Sequence, residues 1–302
     1  MLTRVVVGGR KKKKRWDLFF LALPLMLLVI AFAYVPLAGW YFALIEYRVG
    51  TPIFQCEFVG LANFARLFRT PAFMRSIRNT LIFSAAKYAM LVIPAIFAIL
   101  FNEISSVRFR KVVQTMSTLP HFISWVIVYG LTYAMFTTEG PVNSVLAHFG
   151  KKQQLLIDRN NVYIFQSALY LWKTLGWNSI IYVATIAGID PQLYEAATID
   201  GAGHMDCAIH ITVPGIMPTF VVLMLLGVAD FVNNGLDQYY VFQNAFTYNN
   251  LETLEMYTYK QGIKLMDYSY ATAVGILKSV VSIVLLFVTN TVAKRVRGSA
   301  IV

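Results

Sequence analysis

The chain has 302 residues, of which 58% are hydrophobic and only 14% charged, and its formal net charge is +11. A soluble domain carries about 25% charged residues, so a soluble globular class is excluded. The positive balance does not point to nucleic acid either. Seven of the 26 basic residues (Arg4, Arg10, Lys11, Lys12, Lys13, Lys14 and Arg15) stand directly ahead of an apolar stretch, where a basic run is an orientation signal held on the cytoplasmic side.

That stretch, Leu18–Ile45, contains no charged residue, and a bilayer span needs only ~20 apolar residues. It is too long for a cleaved signal peptide, and the chain keeps crossing afterwards. A weaker block follows at Asn79–Asn102, interrupted by Lys87. Val112–Thr138 is uncharged, Asn160–Ile189 holds Lys173 alone, Pro218–Asp237 holds Asp230, and Tyr268–Ala293 holds Lys278 alone. The fold class is therefore an all-α integral membrane protein. Six transmembrane helices are predicted at 17–44, 78–101, 113–136, 163–187, 217–236 and 270–293, with N and C termini cytoplasmic. The organisation is a basic tail (1–16), a membrane domain (17–295) and a short tail (296–302). This topology puts thirteen basic residues inside and ten outside, a mild bias resting mostly on the first tail. Cys56 and Cys207 fall on opposite sides, so no disulfide framework is expected.

Pro24, Pro36, Pro94, Pro120 and Pro218 lie in or at the edges of spans. Proline frees a backbone carbonyl, which is tolerated where protein or a cavity satisfies it. The fourth span places Tyr170, Lys173, Thr174, Trp177, Asn178 and Ile181 on one helical face. The fifth ends in Asp230, Asn233, Asn234, Asp237 and Gln238, which suits a water-filled path better than lipid. Tyr170, Lys173, Thr174, Trp177, Asn178, Asp230 and Asn233 are the candidate pathway residues. The alternative is that Tyr170 and Trp177 are packing or interfacial belt residues. A mid-span cation needs a partner or water, and Asp230 is a candidate counter-charge for Lys87, Lys173 and Lys278.

The segment 189–218 joins the fourth and fifth spans. Asp190 suits a helix N-cap and Pro191 the first turn. Gln192–Ile199 reads as a short helix that Asp200-Gly201 breaks, and a second helical piece is predicted from about Ala202 until Pro214 stops it. Small residues (Ala196, Ala197, Gly201, Ala202) allow another surface to approach closely, and the segment carries no Lys or Arg. His204, Cys207 and His210 spread over ~120° of a helix, a poor convergence for a metal ion; no metal site is expected.

This segment resembles the EAA loop of bacterial ABC importer permeases, the inner-membrane components of binding-protein-dependent transport systems. Glu195-Ala196-Ala197, Gly201, Ile211 and Pro214 match its spacing, with Val213 in place of the usual Leu. Phe58-Val59-Gly60-Leu61-Ala62-Asn63-Phe64 is similar to an extracytoplasmic stretch of sugar permeases. Gln114-Thr115, Leu119-Pro120-His121-Phe122-Ile123-Ser124, Trp172-Lys173 with Gly176-Trp177, and Asp190-Pro191 resemble the polysaccharide and complex-oligosaccharide branch, which includes alginate-importer permeases. The resemblance covers roughly residues 18–295. It implies the type I importer permease fold in the cytoplasmic membrane of a bacterium, and a transport subunit rather than an enzyme. Tyr194, Glu195, Ala196, Ala197, Asp200, Gly201, Ala202, Ile211 and Pro214 would contact the ATPase. It further implies a second permease subunit of different sequence, two ATPase subunits, an extracytoplasmic solute-binding protein, and ATP and Mg on the partners. No Gly-x-x-x-x-Gly-Lys-[Ser/Thr] phosphate loop occurs, so this chain is expected to bind no nucleotide or other cofactor itself. An ion-coupled secondary sugar transporter, using Asp230 and the mid-span lysines, is the alternative. A membrane enzyme would need a cluster of acidic or histidine residues at a membrane face, and the EAA match already accounts for the one present. The branch gives an oligosaccharide as cargo, and the lysines lean toward an acidic one of the alginate or uronate type; a neutral oligosaccharide is the alternative, because Glu46, Glu57, Glu139 and Asp158 also lie on the outer side and long lysine side chains can reach the interfaces.

Overall fold

A computed structural model describes residues 16–149 and 155–297; the basic run before Trp16, Lys151, Lys152 and the last five residues lie outside the described residues. Helix α1 (Trp16–Val29) continues through a wide turn (Ile30–Tyr34) into a tightly wound stretch (Val35–Leu44). From Phe19 to Tyr41 most side chains are exposed, Phe32 being 79% exposed, as suits a surface wetted by lipid rather than water. Strand β1 (Ile45–Glu46) then pairs antiparallel with β2 (Glu57–Phe58), Ile45 facing Phe58. Asn63 pins this hairpin by donating from Nδ2 to the Ala43 carbonyl at 3.0 Å.

Amphipathic α2 (Ala62–Arg69) leads into α3 (Pro71–Ala89) and α4 (Val92–Asn102). Together α3 and α4 form the second apolar helix, Pro71–Asn102. Its break at Met90–Leu91 has a cause in sequence: Pro94 has no N–H to give the Met90 carbonyl four residues back. The third predicted span is a bent pair, α5 (Val107–Phe122) and α6 (Trp125–Phe136) continued by α7 (Pro141–His148), with 106° between the arms. Ser124 starts the second arm as an N-cap, its hydroxyl accepting from the Ile127 N–H at 3.4 Å.

Helix α8 (Val162–Ala187) is central, packing against α3, α4, α5 and the fifth apolar helix. It is 26 residues long, and its Gln166, Ser167, Lys173 and Ser179 are buried in protein. That enclosure lets it carry polar groups a lipid-facing helix would not. Among the described residues four helices are long and apolar enough to cross a bilayer, or five if the bent pair is one span. Of the six predicted spans, α8 is the one that fails that measure, being too polar although long enough.

The segment after α8 forms α9 (Pro191–Ile199) and then α10 (His204–Cys207), which runs through a wide turn (Ala208–Thr212) into α11 (Val213–Ala229). Here the prediction that Pro214 stops the helix is corrected. The wide turn lets the Val213 N–H reach back to the Ala208 carbonyl, and this local rewinding accommodates Pro214, which follows at once, inside a continuing helix. The helix therefore spans His204–Val228, starting well before residue 217. Residues 230–236, predicted as its end, are not helical. The chain closes with α12 (Asp237–Phe242), α13 (Tyr248–Leu251), α14 (Leu254–Tyr259), a wide turn (Lys260–Lys264) and α15 (Tyr268–Arg297). Two aromatic-rich cores at the hairpin end hold these pieces. One joins Phe73, Tyr257 and Tyr270; the other joins Phe83, Tyr239 and Phe242. A third, of Ala95, Tyr182, Ile186 and Ile216, ties α4, α8 and α11.

Candidate functional site

A cavity of about 430 Å³ opens between α3, α8 and the end of α11. Its walls include Tyr170, Thr174, Trp177, Asn178 and Ile181 from one face of α8, and Asp230 and Asn233 from the turn after α11. Ser84, Lys87 and Tyr88 of α3 face them. Six of the seven candidate pathway residues thus meet around one space, drawn from two segments some fifty residues apart in sequence.

Lys173 does not join them. It is 7% exposed, and its Nζ donates to the carbonyls of Pro120 at 3.0 Å, His121 at 2.8 Å and Ile123 at 2.5 Å, with the Trp125 ring 5.4 Å away. The α5–α6 break strands the His121 and Ile123 carbonyls, while the Pro120 carbonyl also accepts from the Ile123 N–H at 3.2 Å; an ammonium with three donors reaches all three. The amine is thus spent on the bend rather than on the pathway.

The cavity's cation is Lys87. Its Nζ donates to the Asn234 carbonyl at 3.0 Å and lies 4.4 Å from the centre of the Tyr170 ring, within cation–π range. Asn234 is buried and braced, donating from Nδ2 to Ser84 Oγ at 2.7 Å and the Thr80 carbonyl at 3.0 Å. Asp230 is not the lysines' counter-charge: its carboxylate accepts from Asn233 Nδ2 at 3.1 Å. Of the three lysines, Lys278 has a carboxylate partner in Glu255 of α14, whose Oε1 accepts from Lys278 Nζ at 2.7 Å and from the Asn234 N–H at 3.0 Å. Sequence reasoning missed Ser84, Tyr88, Asn234 and Glu255. A signal existed for Asn234, which ends the fifth block beside Asn233, but none for Glu255, which reads as an exposed loop acid.

The second constellation is the 190–214 segment. Asp190 Oδ1 accepts from the Gln192 N–H at 3.0 Å, an N-cap. After α9 the chain reverses at Gly201 with φ +85°, a conformation that glycine adopts without a Cβ penalty. The Ala202 N–H bonds the Ala197 carbonyl at 2.9 Å and closes the turn. Tyr194 OH and Thr212 Oγ1, 2.9 Å apart, tie α9 to the following helix, and His204 lies 2.8 Å from Glu103 at the end of α4. Glu195, Ala196, Asp200 and Pro214 are exposed, while Ala197, Ala202 and Ile211 are half-buried. Ile199 is 86% and Met205 70% exposed, an apolar surface in a segment that carries acidic residues and no Lys or Arg.

Residues 90–298 match the family described as "Binding-protein-dependent transport system inner membrane component". The chain belongs to this family. The permease is 37% identical to the polygalacturonan/rhamnogalacturonan transport system permease protein YteP of Bacillus subtilis (strain 168), over 96% of this chain and 94% of the relative. It is 28% identical to the arabinooligosaccharides transport system permease protein AraP of the same organism, over 81% of this chain and 78% of the relative. In structure the permease superposes with a TM-score of 0.86 at 31% identity on a chain of a bacterial alginate ABC transporter in complex with an alginate pentasaccharide-bound periplasmic protein, covering 95% of this chain and 96% of that one. The permease is thus a multi-pass membrane subunit of the sugar ABC importer type, and an ion-coupled carrier is not favoured. The matched span contains both the cavity wall of α8 and the 190–214 segment.

Proposed function

We propose that this permease translocates an acidic, uronate-type oligosaccharide through the cavity between α3, α8 and α11. The observation that carries the reading is Lys87 poised over Tyr170 in a wall that also presents Trp177. Aromatic faces suit the C–H surfaces of pyranose rings, and a cation at the same place lowers the barrier for a carboxylate that must shed water. The relatives named for polygalacturonan and alginate support the same class. The test is ATPase activity of the reconstituted transporter, stimulated by binding protein loaded with uronate or neutral oligomers of equal length. Uronate oligomers are expected to stimulate more. Lys87→Met is expected to cut that advantage about tenfold, equivalent to ~1.4 kcal/mol. Equal stimulation by neutral oligomers in the wild type would sink the acidic reading.

The same proposal includes six crossings with both termini cytoplasmic, and partners comprising a different permease chain, two ATPase subunits carrying ATP and Mg, and an extracytoplasmic binding protein. The exposed apolar surface at Ile199 and Met205, fixed in place by the Gly201 turn, supports docking of the ATPase there. Hydrophobic burial of such a patch is favourable and direction-free, so the acidic groups around it supply the orientation. Thiol labelling tests orientation and docking together. A membrane-impermeant maleimide is expected to reach Cys207 only from the cytoplasmic side and Cys56 only from outside, and bound ATPase subunits are expected to slow the Cys207 reaction. Labelling of Cys207 from outside would overturn the orientation; identical labelling with and without ATPase subunits would overturn the docking site.

A further inference from the structure

A second recess, of about 140 Å³, lies at the hairpin end of the permease between α12, α14 and the turn that follows α14. Three tyrosines line it, Tyr240, Tyr248 and Tyr259, with Gln243 and two lysines, Lys260 and Lys264. The rings of Tyr240 and Tyr259 meet edge to face, centroids 5.4 Å apart at 77°. Lys264 Nζ stands 4.9 Å from the centre of the Tyr240 ring and Lys260 Nζ 4.9 Å from that of Tyr248. The two lysines are not equivalent. Lys260 donates to Tyr248 OH at 2.6 Å and lies 3.6 Å from Glu252. The Tyr248 bond, reinforced by the Glu252 charge, holds its amine above the ordinary lysine range. Buried Glu252 is also bound by Arg75 at 3.1 Å, so this half of the recess is a fixed framework. Lys264 is exposed and forms no ion pair among the described residues.

The recess does not stand alone. Tyr259 also lines a groove of about 670 Å³ beside Glu255 and Lys278, and that groove shares Asn233 with the cavity. The three spaces therefore share wall residues, Tyr259 between recess and groove and Asn233 between groove and cavity.

We propose that the recess is a binding site for one carboxylated sugar residue, a hexuronate, whose ring packs on Tyr240 and Tyr259 and whose carboxylate pairs with Lys264. It is the first station of a track that continues along the groove into the cavity. The volume is of the order of a single pyranose, and a cation with no ion pair beside an edge-to-face tyrosine pair offers an apolar contact for the ring and a partner for the carboxylate of a uronate. The assignment rests on the acidic-substrate reading above.

Direct binding tests it. The complete transporter in nanodiscs, with no binding protein present, is titrated with labelled trigalacturonate and challenged with maltotriose. The wild type is expected to bind trigalacturonate with an affinity that falls with salt, and maltotriose is expected not to compete. Lys264→Met is expected to weaken binding roughly three- to fivefold, the scale of one exposed ion pair, and Lys264→Glu by more than about tenfold through repulsion. The position is solvent-facing, so thermal midpoints within about 1 °C of wild type provide the folding control. If the wild type selects trigalacturonate and both Lys264 variants bind it as the wild type does, the recess assignment is overturned while the acidic reading stands. If maltotriose competes equally in the wild type, the acidic reading falls and takes the assignment with it.

Discussion

Gly176→Ala is expected to force α5 away from α8 and to destabilise the permease strongly. A Cβ at Gly176 would lie 2.3 Å from both the carbonyl carbon and oxygen of Ser117 and 2.6 Å from the Thr118 nitrogen. These are backbone atoms, so no side-chain rotation relieves the clash; the helices must separate. Overpacking typically costs about 1–3 kcal/mol, and a clash against main chain belongs at or above the upper end. With roughly 2–4 °C lost per kcal/mol in a chain of this size, the thermal midpoint of the purified complex should fall by about 5–10 °C, and its yield in membranes should drop. Gly130→Ala is the control. Gly130 lies within α6 with nothing within 4 Å of the added Cβ, and alanine is the better helix former by ~1 kcal/mol. A Gly176→Ala protein as stable as the Gly130→Ala protein would refute the close approach of α5 and α8.

Lys173→Met is expected to cripple transport of every cargo, acidic or neutral. The substitution keeps most of the side chain's bulk and removes the ammonium that the Pro120, His121 and Ile123 carbonyls share. The His121 and Ile123 carbonyls would be left unpaired at ~1–3 kcal/mol each, while Pro120 keeps the Ile123 N–H, so a loss of about 2 kcal/mol or more is expected. The damage reaches the cavity through its wall. His121, in the segment Lys173 clamps, stacks on the Trp177 ring at 4.5 Å and 3°, and Trp177 lines the cavity. The measurement is a pair of readouts: the thermal midpoint, and substrate-stimulated ATPase with uronate and neutral oligomers. A lowered midpoint with equal loss for both cargoes supports the clamp. An unchanged midpoint with loss confined to uronates would return Lys173 to the pathway. Comparison with Lys87→Met, which should discriminate between cargoes, separates a cation that builds the wall from one that faces the path.

The contrast between these two lysines shows where sequence reading stops. Both are lone cations inside apolar blocks, and both sit on polar-studded helical faces. Periodicity reports which residues share one side of one helix. It therefore grouped Tyr170, Thr174, Trp177 and Asn178, which line one cavity, and Lys173 with them. It contains nothing about what stands across the gap, and a flexible four-carbon stem can carry an ammonium away from its neighbours' common face.

The sequence by itself determined the membrane class, because long uncharged blocks have no soluble solution. It also determined the Asp190 cap and the Gly201 reversal, because these depend on groups within a few residues and on the φ that glycine alone takes freely. Tertiary structure decided the rest. Pro214 continues a helix it was predicted to end, because a wide turn just before it absorbs the missing N–H. Lys278 finds Glu255 rather than Asp230, a partner 23 residues away, and Lys87 finds the carbonyl of Asn234, 147 residues away. Such pairings follow from the need to satisfy every buried charge and carbonyl in a medium that offers no water, and only the packed fold brings the partners within reach.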